Sequence, residues 1–138
     1  MPSSMPAGLV PHIVVTDANG AIEFYKKAFA ATEVRRAPAP DGKRLMHAEV
    51  LINGSPMFLC DYFPEYCKDD SFRPPQMLGG SPMVLHQTVE DCDASMKRAA
   101  DAGAKITMPA SDQFWGDRYG QLTDPYGYVW SFSTPLKK

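Results

Sequence analysis

The chain has 138 residues, enough for one domain with its own core and no need of disulfide or metal staples. Its 14 Lys and Arg against 16 Asp and Glu leave a formal net charge of -2 with no block of one sign, which excludes the electrostatic footprint of a nucleic-acid or anionic-membrane binder and favours a small or neutral ligand. No apolar run approaches the roughly 20 residues of a membrane span, MPSSMPAG lacks a secretory pattern, and three cysteines (Cys60, Cys67, Cys92) at irregular spacings suit reduced thiols, so a cytoplasmic protein is expected.

The first predicted element is the apolar run LVPHIVV, a strand. VTDANGAIEFYKKAF (15–29) follows, with Asp17 suited to a helix start and Ile22, Tyr25 and Phe29 at the spacing of an amphipathic helix. Next come the strand candidates RLMHAEVLI and PMFLC, joined by Asn53-Gly54, a hairpin signal whose glycine supplies a positive φ. PEYCKDDSFRPPQMLGGSP (64–82) is rich in Pro, Gly and charge and reads as a connector; Phe72 and Met77 are its two candidates for covering a pocket. MVLHQTV is then a strand. VEDCDASMKRAADAG (89–103) is a helix with Asp91 at its start and Met96, Ala99 and Gly103 in the places of Ile22, Tyr25 and Phe29, 74 residues later. YGQLTD, a Pro-Tyr-Gly turn and YVWSF close the chain. Strand, helix and two or three strands are therefore used twice, and Phe24, Tyr25, Phe29, Trp130 and Phe132 occupy periodic core positions.

With AIEFYKKAF on the first helix and DPYGYVWSF on the last hairpin, this repeat resembles the vicinal oxygen chelate superfamily, which includes glyoxalase I, extradiol dioxygenases and bleomycin-resistance proteins. FWGDRYGQLTDPYGYVWSFST is similar to its PhnB-like branch. The resemblance runs from about Leu9 to Pro135. It implies an α+β fold of two βαβββ modules whose curled mixed sheets form a cup, in a homodimer. One glyoxalase-like domain over 1–138 is expected, with module one over about 8–63, a linker over about 64–82 and module two over about 83–135. Fold alone does not assign a reaction.

The resemblance also implies four metal-ligand positions, at Val10, Phe58, Val84 and Ser131, none of which supplies imidazole, carboxylate or thiolate. No metal cofactor is therefore favoured. Strand side chains alternate, so His12, Cys60 and His86, each two residues beyond Val10, Phe58 and Val84, share their faces, and a displaced site for a soft divalent metal on these three is the alternative. The other reading of each histidine is a hydrogen-bonded pocket or core residue.

Further candidates lie nearby. His47 and Glu49 share a face of one strand; if that face is the cup, Glu49 joins His12 and His86 as acid/base candidates, and otherwise both decorate the solvent side. Phe58 and Ser131 stay as ligand-binding positions. In FWGDRYG, Trp115 and Tyr119 offer flat walls, and Asp117 with Arg118 can hold an anionic ligand or pair with each other at the surface. Cys60 is a small strand hydrophobe or a nucleophile. Two functions follow: a binder that sequesters a small molecule between aromatic walls, or a glyoxalase-like enzyme, lyase or dioxygenase, acting on a small oxygenated compound.

Overall fold

A computed structural model describes residues 5–67 and 72–137; residues 68–71 of the expected linker lie outside the described set. Module one runs β1 (His12–Val15), α1 (Ala18–Phe29), β2 (Thr32–Pro38), β3 (Leu45–Ile52) and β4 (Ser55–Asp61). A short helix α2 (Pro75–Leu78) leads into β5 (Val84–Thr88), α3 (Cys92–Ala102), β6 (Lys105–Asp112), β7 (Asp117–Thr123) and β8 (Val129–Pro135). Each module is thus βαβββ, as the repeat predicts. The sheets have orders β1-β4-β3-β2 and β5-β8-β7-β6, with one parallel pair in each, and among the described residues no ladder joins them. The strands that sequence patterning passed over, β2 and β6, are the outer edges of the two sheets and are mostly exposed, so neither carries the alternation that marks a half-buried strand.

Local chemistry places the elements. Asp17 accepts from the Gly20 amide and Asp91 from the Ala94 amide, and each side chain caps its helix. Asn53 (φ 52°) and Gly54 (φ 77°) are both left-handed, the geometry of a two-residue turn whose twist matches its strands. Gly127 is required twice over, since its φ is 92° and a Cβ there would stand 2.7 Å from the Pro75 Cβ of α2.

One core serves both modules. α1 buries Ile22, Phe24, Tyr25 and Phe29, and the Phe29 ring lies 4.5 Å from Trp130 and 5.8 Å from Phe132 across the module boundary. Asp124, in the turn before β8, fastens this core. Its carboxylate accepts from the Tyr25 hydroxyl (2.6 Å), the Trp130 indole (2.9 Å) and the Tyr126 and Tyr128 amides (2.8 and 3.0 Å). Burial lifts the Asp124 pKa above its ordinary value, against the pull of those four donors. Tyr128 bridges the modules at the other end, its hydroxyl donating to the Val14 carbonyl and accepting from the Val14 amide on the outer edge of β1.

Candidate functional site

Alternation assigns each sheet an inner face toward the helices and an outer face. In β1, Ile13 and Val15 are buried inward, so His12 and Val14 lie on the outer face, beside Phe58 and Cys60 of β4, with which they pair in register. Register puts Glu49 of β3 opposite Phe58 and Arg35 of β2 opposite Glu49. His47 and Glu49 do share a face with His12. The His12 ring lies edge-on to His47 (6.4 Å), Phe58 (6.0 Å) and Phe72 (5.5 Å), so Phe72 of the connector does stand against this face. Burial, then the neighbouring His47, lowers the His12 pKa below its ordinary 6.5.

Glu49 is 3% exposed, with Arg35 Nε 3.1 Å from its carboxylate. A solvent-side decoration is therefore not what the fold makes of it; it is half of an ion pair under the face. Arg35 escaped notice because the strand that carries it did. Cys60 is 4% exposed and burial pushes its thiol up to about 11, the behaviour of a packed hydrophobe rather than a nucleophile.

The outer face of the second sheet has different chemistry. His86 places Nδ1 2.7 Å from the Ser131 hydroxyl and Nε2 3.0 Å from the Ser133 hydroxyl, with Thr88 Oγ1 3.4 Å from the same Nε2. Both ring nitrogens are thus held, and the imidazole stacks on Tyr119 at 6.2 Å with planes 15° apart. The Tyr119 hydroxyl accepts from Gln121 (2.9 Å), and Trp115 stands edge-on to Tyr119 at 5.7 Å. Ser133 and Gln121 were not anticipated. Each lies two residues from a predicted site residue, Ser131 or Tyr119, so alternation was the available signal.

Two expectations need correction. Arg118 was paired with Asp117 as a holder of an anionic ligand beside the Trp115 and Tyr119 walls, but neighbours along a strand point to opposite sides. Arg118 turns the other way and is bound by Asp93 of α3 (2.6 and 3.0 Å) and Asp112 of β6 (3.0 Å), two carboxylates that occupy its guanidinium and raise its pKa. Asp117 does not pair with it; it accepts from the Trp115 indole at 3.1 Å and fixes that ring. The displaced metal site is the second. His12 and His86 sit on sheets with no shared ladder, in separate surroundings, and among the described residues no three His, Cys, Asp or Glu are grouped to hold a metal ion. His12, Cys60 and His86 therefore do not converge. Val10, Phe58, Val84 and Ser131 offer alkyl, aryl and hydroxyl groups, a donor set that does not fit a divalent metal.

Comparison with known proteins places the fold. Residues 9–132 match the model of the Glyoxalase/Bleomycin resistance protein/Dioxygenase superfamily. An uncharacterised protein of Mycobacterium bovis is 46% identical over the whole chain and 90% of its own length. An uncharacterised protein of Arabidopsis thaliana is 29% identical over 82% of this chain and 69% of its own. Among solved structures, TioX from Micromonospora sp. ML1 superposes with a TM-score of 0.71 at 24% identity, over 95% of this chain and all of that one. A PhnB protein from Bacillus cereus does so with a TM-score of 0.69 at 19% identity, over 93% and 99%. At those identities the solved structures show the fold alone, two βαβββ modules. No described helix is long and apolar enough to cross a membrane. The chain belongs to the Glyoxalase/Bleomycin resistance protein/Dioxygenase superfamily.

Proposed function

We propose that this protein is a PhnB-like binder of small molecules that uses no metal at the four positions where the resemblance implies ligands. The observation that carries this is the His86 assembly. An imidazole locked by two serine hydroxyls, stacked on Tyr119 and flanked by a half-exposed Trp115, is a preformed wall for a flat molecule, with hydroxyl and amide groups at its rim. Hydroxyl and amide groups line its rim and Asp117 is its one carboxylate, so it suits a neutral oxygenated ligand better than a strong anion. Phe58 and Phe72 offer a second, apolar wall beside His12. The same proposal takes the chain as one domain over 1–138, acting as a homodimer in the cytoplasm.

One observation favours an enzyme instead. His12, with its pKa lowered, is neutral at pH 7 and can accept a proton beside a ligand, while Glu49 is tied to Arg35 and positions the strand rather than acting as base.

The test is the metal content of untagged, as-isolated protein, then thermal shift with nickel, zinc, cobalt and iron(II), then a small-molecule screen read by thermal shift. Expected are no stoichiometric metal, no stabilisation by any of the four ions, and ligand shifts that disappear in Trp115→Ala and His86→Ala with the fold intact. Stoichiometric metal, or stabilisation by one ion that is lost in His12→Ala, overturns the metal-free proposal.

A further inference from the structure

β1 and β5 each form an edge of their sheet, and what lies against that edge differs between the modules. At β1, Tyr128 closes it: its ring is 7% exposed, and its hydroxyl both donates to the Val14 carbonyl (2.8 Å) and accepts from the Val14 amide (3.0 Å). The repeat defines the matching place at β5. His12 pairs with Phe58 as His86 pairs with Ser131, so Val14 corresponds to Thr88 and Tyr128 to Ser55. Ser55 has no ring to offer. Beside Thr88 there is instead a cavity of about 550 Å³, with Pro11, Ser55, Met57, Leu85, Thr88 and Trp130 in its lining. Gln87 also lines it; the Gln87 Oε1 accepts from Asn53 at 3.1 Å, while its Nε2, in a residue 8% exposed, has no hydrogen-bond partner among the described residues.

We propose that this cavity is a second binding site, taking a small molecule with a ring and a hydroxyl that sits against the β5 edge as Tyr128 sits against the β1 edge. A hydroxyl is the fitting group because it donates and accepts at once, matching one backbone C=O and one N–H. Within its sheet β5 is bonded only to β8, so its other edge keeps such groups free of the ladder. A hydrocarbon would leave them unmatched, and a carboxylate has no proton for the C=O. Proline, methionine, leucine and Trp130 supply the apolar and stacking contacts for the ring. The site adjoins the aromatic wall above at His86, which lines it, while Trp115, Tyr119 and Ser131 are not part of its lining.

The test is an amide and indole NMR titration of the full chain with p-cresol, the free form of a tyrosine side chain, against 4-methylanisole and p-xylene. Expected are saturable shifts at Thr88, Gln87 and the Trp130 indole, with p-cresol bound at least tenfold more tightly than the two compounds that cannot donate. Ser55→Tyr, which supplies the missing ring, is expected to weaken p-cresol at least tenfold while keeping the native spectrum. Equal affinity for p-cresol and p-xylene overturns the proposal, as do shifts confined to Trp115 and Tyr119, the absence of saturable shifts, or unchanged binding in a folded Ser55→Tyr. Should that variant not fold, the wild-type comparison of the three compounds decides.

Discussion

The two sheet faces began as one pattern and now hold different chemistry. On the first, a buried glutamate pairs with Arg35, and two imidazoles lie among phenyl rings. On the second, a single imidazole is held by neutral hydroxyls and stacked on a tyrosine. The backbone devices are shared: an aspartate cap on each helix, a turn with positive φ before each last strand, and histidines 74 residues apart. Duplication therefore preserved what builds the scaffold, while the side chains that the scaffold leaves free have diverged. The first face stakes stability on a buried charge; the second does not.

The largest expected effect tests how the shared core is fastened. Asp124→Ala leaves the buried Tyr25 hydroxyl and Trp130 indole without their acceptor and is expected to cost about 3–5 kcal/mol in urea unfolding. A loss below about 1 kcal/mol would mean that Asp124 does not join the modules. Next comes the contrast between faces. Glu49→Ala removes the buried carboxylate beside Arg35 and should cost about 2–3 kcal/mol, whereas replacing both residues by leucine should recover most of that, and Ser131→Ala on the second face should cost about 1 kcal/mol or less. Equal losses from Glu49→Ala and Ser131→Ala would erase the distinction.

A subtler difference is protonation. His12 should titrate below 6.5 by NMR, because burial and then His47 disfavour its charged form; His47→Ala should raise its pKa, and a value unmoved by that substitution would assign the whole depression to burial. The smallest effect concerns the rim of module one. Arg36, beside Glu33, is the main cause that holds that carboxyl down at about 2 against an ordinary 4.5, with Lys26 contributing. A depressed carboxylate pKa gives stability that is present above pH 4.5 and lost as the pH falls through about 2. Wild type should therefore exceed Glu33→Gln by about 0.5 kcal/mol at pH 6, with the gap closing near pH 2 in thermal melts. A gap independent of pH would deny the ion pair any role.

Much of the architecture was legible because its signals are local. Helix caps, the Asn53-Gly54 and Pro-Tyr-Gly turns and the face shared by His47 and Glu49 each depend on residues a few positions apart, and with the 74-residue period the sequence by itself determined a strand, a helix and two or three strands used twice, and the core role of Phe29, Trp130 and Phe132. The outer strands were not legible, since exposed edges impose no hydrophobic alternation. Nor were the partners across the fold. Arg118 was read as the partner of Asp117, and only its place in β7 turns it toward Asp93 and Asp112. That Glu49 meets a cation, that Tyr128 reaches Val14 from 114 residues away, and that the matching place at Ser55 is hollow were decided by tertiary structure. Contacts at such separation depend on how sheets and helices pack, which the patterning of neighbouring residues along a chain does not encode.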